Sequence, residues 1–185
     1  MLEKNEIRRQ IKSAKQNLTE AEIARKSSLI LQQLRNHLVL SENQAVHIYE
    51  ALDTLKEPLT QPIIKHLESS YPTMSIYMPI ANQAHKSRMV TSANVVSFNT
   101  QVFPTVREMQ PNNEINVFLL PLVAFDVSGN RLGHGGGFYD KLLSHFQGAK
   151  KIGLAFELQK VDSIPAQAHD IKLDEVITES QIYRC

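Results

Sequence analysis

The apolar run INVFLLPLVAF, residues 115–125, limits the folds that this chain can adopt more than any other segment. A strand with one face in water alternates polar and apolar residues, whereas a strand covered on both faces is apolar nearly throughout. The run is also too short to cross a bilayer as a helix. It therefore predicts a central strand of a sheet that has helices on both faces.

Predicted strands and predicted helices alternate along the chain on either side of this run. Further strands are predicted at AVHIYEAL (45–52), MSIYMPI (74–80), KKIGLAF (150–156) and, as the last strand, EVIT (175–178). Helices are predicted at residues 3–18, from Thr19 to about Leu38, at QPIIKHLESS after Thr60, and at FYDKLLSHF (138–146). Strands that alternate with helices favour a parallel sheet. We expect one α/β domain over residues 1–185: three layers, a mostly parallel central sheet with helices on both faces, and an N-terminal helix pair before it.

The first two helices carry distinct patterns. The apolar stripe of the first consists of Ile7, Ile11, Ala14 and Leu18, and a second, basic stripe consists of Lys4, Arg8, Lys12 and Lys15, with Arg9 beside it. A basic stripe by itself is usually a solvated helix face. Thr19 followed by Glu22 is a capping-box start for the second helix. The polar stretch 81–112 is the least predictable part, with short strand-like pieces around RMV and VVSF.

Composition narrows the functional classes. The chain has 20 Lys and Arg against 19 Asp and Glu, a net charge of +1, so no overall field favours nucleic acid or an anionic membrane. Its one cysteine, Cys185, excludes a disulfide framework and a cysteine zinc site. The charged N-terminus lacks the apolar core of a signal peptide. We expect a cytoplasmic protein that binds neither nucleic acid nor membrane, with a monomer as the default state.

Four of the chain's seven glycines lie in RLGHGGGFYD, residues 131–140. The preceding DVSGN is predicted to be a turn, capped by Asp126. The loop lies between a predicted strand and a predicted helix, where backbone N–H groups and the helix dipole can surround a phosphate. No Lys-Ser or Lys-Thr pair follows the glycines, and the GxGxxG spacing fails at Phe138, so both common nucleotide motifs are excluded. The alternative is a tight connection whose glycines serve packing alone.

The residues around this loop resemble a known family. PLVAFDVSGNRLGHGGGFYDKLL (121–143) is similar to the signature of the 5-formyltetrahydrofolate cyclo-ligases, also called 5,10-methenyltetrahydrofolate synthetases. EKNEIRRQIKSAKQNLT (3–19), KEPLTQPII (56–64) and IPAQAHDIKLDEVIT (164–178) resemble further family segments, and FPTVREMQP (103–111) is a weaker match. The resemblance spans most of the chain.

The resemblance implies an ATP- and magnesium-dependent ligase that converts 5-formyltetrahydrofolate (folinate) to 5,10-methenyltetrahydrofolate, ADP and phosphate. In that chemistry the γ-phosphoryl group of ATP activates the formyl oxygen, and N10 of the folate then closes the ring. Phosphoryl transfer requires a protein chiefly to position the reacting groups and to supply cations that offset the developing negative charge.

Site residues follow from the resemblance. The implied ATP-binding residues are Lys4, Arg8, Arg131, Leu132, Gly133, His134, Gly135, Gly136, Gly137, Phe138 and Tyr139. The implied substrate-binding residues are Leu52, as an apolar wall, Glu57, as an acceptor for pterin N–H groups, and His134, Gly135, Gly136, Gly137 and Phe138. Catalytic roles are implied for Arg8, Arg131 and His134, and magnesium association for Asp140 and Asp170.

Other interpretations of these residues stay open. Asp140 would also suit the first turn of a helix and Asp170 a turn, while His169 is expected to be structural and Lys12, Lys15 and Arg9 to lie on the surface. Phe138 stands where many members have tyrosine, His134 fills a variable position, and Lys141 replaces a common arginine. A folate or nucleotide sensor without turnover is the alternative function. A sugar-phosphate isomerase is a weaker one, since no general base is evident.

Overall fold

The computed structural model describes residues 3–79, 87–90, 95–96, 115–168 and 170–185. The helices are α1 (Lys4–Gln16), α2 (Glu20–His37), α3 (Gln61–Ser70) and α4 (Phe138–Leu143), with 3-10 turns at Asp53–Leu55 and Glu157–Gln159. The strands are β1 (Ala45–Ile48), β2 (Ser75–Pro79), β3 (Ser87–Val90), β4 (Val95–Val96), β5 (Ile115–Pro121), β6 (Ala124–Phe125), β7 (Arg131–Leu132), β8 (Lys150–Leu154), β9 (Glu175–Ile177) and β10 (Ile182–Arg184). None of the described helices is long and apolar enough to span a bilayer. The weak motif match at 103–111 and His169 lie outside the described residues.

Eight strands form the main sheet, in the order β10-β9-β8-β5-β1-β2-β3-β4. The five strands from β9 to β2 are parallel, and antiparallel strands extend the sheet at both edges. From β1 the chain passes first to β2 on one side and later to β5 on the other. The strand order therefore reverses between β1 and β5, which is where open α/β sheets form a ligand crevice beyond the carboxyl ends of their strands.

Helices cover both faces of this sheet, as predicted. On one face, apolar residues of α2 and α3, including Ile30 and Leu67, pack against Val46 and Leu119 of the strands. On the other face, Leu142 and Leu143 of α4 pack in one cluster with Phe118 of β5. The three-layer arrangement and the leading helix pair are both confirmed.

The capping box at Thr19 is also confirmed. The Thr19 hydroxyl accepts from the Glu22 N–H at 3.2 Å, and the Glu22 carboxylate accepts from the Thr19 N–H at 2.8 Å. Thr60 precedes α3 but does not cap it; its hydroxyl instead accepts a hydrogen bond from the Ala51 N–H. That bond fixes the start of the segment between β1 and α3.

The apolar stripe predicted for α1 is wrong at one position. Ile7 and Ile11 are buried against the small β6–β7 hairpin, but Ala14 is exposed and Lys15 is buried in its place. The buried side chains of α1 recur every four residues, at Ile7, Ile11 and Lys15, so Ala14 falls outside the buried face. Lys15 is therefore not a surface residue, whereas Lys12 is exposed as expected.

The run 115–125 does not form a single strand. β5 ends at Pro121, and β6 pairs with β7 in a separate two-stranded sheet. β5 ends there because the backbone after Pro121 forms hydrogen bonds outside the main sheet. The Val123 N–H donates to the Leu132 carbonyl at 2.7 Å, and the Leu122 carbonyl accepts from the Gln159 side chain. The final strand β10, antiparallel to β9, was not predicted, and the helix predicted to end at residue 146 ends at Leu143.

One buried polar pair lies in the sheet interior. His47 of β1 is fully buried, stacks on Phe118 at a centroid distance of 5.1 Å and lies beside Tyr77 of β2 in the strand register. Neither ring nitrogen of His47, nor the Tyr77 hydroxyl, has a hydrogen-bond partner among the described residues. Burial lowers the pKa of His47 from 6.5 to about 3.

This buried imidazole should make the fold sensitive to acid. The unfolded chain takes up a proton on His47 below pH 6.5 while the folded chain does not, so stability is lost as pH falls from 6.5 toward 3. We expect this group to lower the free energy of unfolding by about 2 kcal/mol between pH 7.5 and pH 5. Urea unfolding at the two pH values should show that loss in the native chain and a smaller one in His47→Leu. Exposed His145→Gln serves as control, and equal pH dependence of the two variants would contradict the account.

Candidate functional site

The strand order places two loops at the predicted crevice. The segment after β1 carries Leu52 and Glu57, and the segment that follows β5 continues through the β6–β7 hairpin to the glycine loop at 133–137. The two segments meet directly, because the Nε2 atom of His134 lies 3.4 Å from the Oε1 atom of Glu57. The loop that carries Glu57 and the glycine loop, predicted from separate motifs, are therefore in contact at the switch between β1 and β5.

The glycine loop is open to its surroundings. Gly135 has φ +102° and Gly137 has φ +64°, conformations that L side chains rarely adopt. A Cβ atom added at Gly133, Gly136 or Gly137 would meet none of the described atoms within 4 Å. The exposed stretch 133–137 thus presents backbone to open space, which favours a loop that receives a ligand over one that serves packing alone.

Arg8 supports the loop from α1. Its Nε atom donates to the Gly133 carbonyl at 2.9 Å, and its Nη1 atom donates to the Asn5 side chain at 2.7 Å. The guanidinium carbon lies 3.7 Å from the position that a Cβ of Gly135 would take. The planar, positively charged guanidinium of Arg8, a residue predicted to contact ATP, therefore lies against the glycine loop.

Arg131 is held differently. Its side chain is almost fully buried, and both Nη atoms donate to the Oδ1 atom of Asp140, at 3.0 and 2.9 Å. The Nη1 atom also donates to the Ile171 carbonyl at 2.8 Å, and the Ile171 N–H donates to the same Asp140 oxygen. Arg131 therefore joins β7, α4 and the segment after Asp170.

A second ion pair ties α1 to that segment. The Lys4 ammonium donates to Asp170 Oδ2 at 2.6 Å, and this oxygen also accepts from the Gln167 N–H in a short turn. Both carboxylates predicted to associate with magnesium are thus paired with a cation. Among the described residues, no group of three His, Cys, Asp or Glu side chains is arranged to hold a metal ion.

Glu57 is a buried carboxylate at the base of the crevice. The residue is only 4 % exposed, and its Oε2 atom accepts from the Leu52 N–H at 3.0 Å. The preceding Lys56 has a left-handed backbone, φ 47°, and its ammonium donates to the carbonyls of Gln16 and Leu18, at 2.7 Å each. Leu52 itself is 48 % exposed beside this carboxylate, as a pocket wall would be.

Two tyrosines, Tyr49 and Tyr139, lie near the Glu57 carboxylate. Burial, together with the Glu57 carboxylate, raises the pKa of Tyr49 and of Tyr139. The Tyr49 hydroxyl donates to the Pro58 carbonyl at 3.0 Å, which helps to fix the chain next to Glu57. Tyr139 was predicted only as part of the nucleotide loop, and no pattern in the sequence pointed to Tyr49.

The remaining predicted residues have varied surroundings. Leu132 is buried between α1 and the β6–β7 hairpin, so its side chain packs there and does not face the loop. Phe138 contacts Tyr139 edge to face at 4.9 Å. Asp126 caps its turn as predicted: Oδ1 accepts from the N–H groups of Ser128 and Asn130.

Comparison with known proteins gives the family of the chain. The model of the 5-formyltetrahydrofolate cyclo-ligase family matches residues 1–179, a range that includes every candidate residue. The chain belongs to that family. It is 27 % identical over 184 residues to the 5-formyltetrahydrofolate cyclo-ligase of Haemophilus influenzae, covering 94 % of this chain and 96 % of the relative. It is 29 % identical over 204 residues to the Saccharomyces cerevisiae 5-formyltetrahydrofolate cyclo-ligase, covering 96 % and 95 %.

Solved structures give the same result for the fold. The 5,10-methenyltetrahydrofolate synthetase of Mycoplasma pneumoniae superimposes with a TM-score of 0.74 at 25 % identity, over 96 % of this chain and 99 % of that one. The Aquifex aeolicus 5,10-methenyltetrahydrofolate synthetase superimposes with a TM-score of 0.73 at 24 % identity, over 98 % and 92 %. The family resemblance and the α/β fold class predicted from the sequence are both confirmed.

The contacts of Arg131 yield a prediction about its role. Lysine keeps the charge but cannot donate to Asp140 and Ile171 in the same fork geometry. We expect Arg131→Lys to lower the free energy of unfolding by about 2 kcal/mol, as measured in urea. Exposed Arg9→Lys should change it by less than about 0.5 kcal/mol. Equal effects of the two substitutions would show that the Arg131 clamp does not support the fold.

Proposed function

We propose that this chain cyclises 5-formyltetrahydrofolate to 5,10-methenyltetrahydrofolate, with ATP as co-substrate. The observation that carries the proposal is the crevice between the carboxyl ends of β1 and β5. One wall is a buried carboxylate beside a half-exposed leucine, and the other is an open glycine loop backed by an arginine. The family match over residues 1–179 supports the same reaction.

The glycine loop is the proposed phosphate site. The exposed backbone of residues 133–137 can approach anionic oxygens closely, and the Arg8 guanidinium beside Gly135 supplies positive charge there. Lys4 anchors the start of α1 through Asp170 and brings a second cation to the same side. Helix α4 has only six residues, so backbone donors and side-chain cations are more important here than a helix dipole.

Glu57 and Leu52 form the proposed pterin site. The Oε1 atom of Glu57 faces His134, while Oε2 is bound by the Leu52 N–H. A pterin that donates N–H groups to Glu57 would take the place of His134, whose side chain is 50 % exposed and can turn away. His134 would then lie between the folate and the nucleotide, as a contact to both.

The proposed reaction has two steps. The γ-phosphoryl group of ATP passes to the formyl oxygen and ADP leaves. N10 then attacks the activated carbon and loses its proton, and the C–O bond breaks as phosphate departs with the former formyl oxygen. Arg8 offsets charge on the transferring phosphoryl group. Arg131 is committed to Asp140 and Ile171, so we assign it the role of holding the loop in place.

Magnesium is part of this proposal. The hydrogen bonds that described residues donate to Asp140 all reach its Oδ1 atom, so Oδ2 is the oxygen suited to a cation. One carboxylate oxygen together with phosphate and water oxygens is a common way to hold Mg²⁺. Bound there, the ion would neutralise charge on the phosphates. Asp170 would act by orienting Lys4.

The direct test is absorbance at the ultraviolet band of methenyltetrahydrofolate, with purified protein, folinate and magnesium. We expect the band to grow only when ATP is present, with stoichiometric release of ADP. Folinate binding that neither needs nor consumes ATP would contradict catalysis and favour a folate sensor.

A matched pair of variants tests the pterin site. Glu57→Gln keeps the shape of the side chain but weakens its hydrogen bonds to N–H donors, so the KM for folinate should rise on the order of 10-fold to 100-fold. The KM for ATP should change little. Glu50→Gln, at an exposed carboxylate after β1, should leave both constants unchanged. Equal behaviour of the two variants would remove Glu57 from the binding site.

A further inference from the structure

Lys56 is a residue to which the proposed function gives no role, although its backbone is unusual. Its φ of 47° and ψ of 54° are left-handed, and no other non-glycine residue in the part of the chain that the structure describes has a positive φ. A residue with a Cβ atom adopts this conformation at a cost in free energy, and it persists only where surrounding contacts hold it. Such strained positions cluster at ligand-binding sites, so the contacts of Lys56 are a candidate for function.

The Lys56 ammonium holds the segment after β1 against the end of α1. It donates to the carbonyls of Gln16, the last residue of α1, and of Leu18, at 2.7 Å each. Carbonyls at the C-terminus of a helix lack partners within the helix and carry partial negative charge, so they bind a cation well. Nearer its start, α1 is held to the glycine loop by the bond from Arg8 to the Gly133 carbonyl. Lys56 therefore fixes its segment to a helix that is itself fixed to the other wall of the crevice.

Glu57 is oriented by the turn that Lys56 completes. The Lys56 N–H donates to the Asp53 carbonyl at 3.0 Å, and the Leu52 N–H donates to Glu57 Oε2 at 3.0 Å. The left-handed residue between these two bonds turns the Glu57 side chain inward, where the residue is only 4 % exposed. Both bonds lie within the turn, so they fix its shape but not its place in the fold.

The chain after Glu57 is held by other elements. The Leu59 N–H donates to the buried hydroxyl of Ser27 in α2 at 2.9 Å, and the Pro58 carbonyl accepts from Tyr49 at the end of β1. These contacts place the far side of the turn. The bonds from the Lys56 ammonium to α1 place its near side.

We propose that Lys56 is a positioning residue for folinate, whose ammonium, bound to the end of α1, holds the Glu57 carboxylate where the pterin N–H groups meet it. The inference rests on the proposed function, since it assigns Glu57 to the pterin. Lys56 acts through Glu57 and does not touch the substrate. Without the ammonium the strained turn can relax, and the carboxylate must then be ordered again each time folinate binds, which weakens binding.

The test is the dissociation constant of folinate and of a non-hydrolysable ATP analogue, measured for variants that circular dichroism shows to be folded. Lys56→Met should raise the constant for folinate on the order of 10-fold and change that for the ATP analogue by less than about 2-fold. Lys56→Arg keeps donors for the two carbonyls and should restore most of the folinate affinity. Lys12→Met, at an exposed lysine of α1, should match the native chain for both ligands.

Lys56→Gly separates the ammonium from the backbone conformation, because glycine adopts the left-handed region readily. We expect this variant to bind folinate as weakly as Lys56→Met does. Native-like folinate affinity in either variant would overturn the proposal. Equal weakening of folinate and of the ATP analogue would also overturn it, since that result indicates a general loss of structure.

Amide hydrogen exchange without ligand keeps the inference separate from the reaction. In Lys56→Met the Leu52 N–H, bound to Glu57, should exchange on the order of 10-fold faster than in the native chain. The neighbouring Ala51 N–H, bound to the Thr60 hydroxyl, should keep its native rate. Equal changes at the two amides, or none, would overturn the positioning role even if folinate were bound and cyclised. A native chain that does not bind folinate, but whose Lys56→Met variant shows the selective change, would refute the proposed function and the role toward folinate while leaving the hold of Lys56 on Glu57 in place.

Discussion

The parallel pairing of β1 with β5 is the constraint on which the rest of the structure depends. The register joins Val46 to Val117 and Ile48 to Leu119, with all four side chains buried in one face of the sheet. The chain leaves β1 toward β2 and returns at β5 on the opposite side, so the strand order reverses between these two strands. The loop that carries Glu57 and the loop that carries the glycines are left facing each other there.

Helix α1 completes this crevice from outside the main sheet. Its first residues hold the ligand-side loops through Lys4 and Arg8, and its last turn meets the base of the crevice at Lys56. Ile7 and Ile11 stabilise the packing of α1 against the β6–β7 hairpin. Lys4 and Arg8 add polar contacts to Asp170 and Gly133. Helix α1 thus contacts both the glycine loop and the segment that carries Glu57.

The sequence allowed the layers and most elements to be predicted, because each has a local signal. It also named the two loops that meet at Glu57 and His134. The capping box at Thr19 and the glycine cluster at 133–137 can be read from a few adjacent residues. The burial of Lys15 could not be predicted, since a lysine within a basic stripe carries no local signal for burial. The end of β5 at Pro121 could not be predicted either. It depends on hydrogen bonds of the following backbone to Leu132 and Gln159, and an apolar run does not reveal a change of hydrogen-bond partners.

The central claim is that one crevice at the switch between β1 and β5 receives both ligands. Amide hydrogen exchange with and without each ligand tests it most directly, since it reports protection along the whole backbone. The account predicts that a non-hydrolysable ATP analogue protects residues 133–137, and that folinate protects residues 52–57. Gly137 and Asp140 also line a groove beside α4. Protection by both ligands confined to residues 141–151 on the far side of that groove, with none at 133–137 or 52–57, would contradict the account.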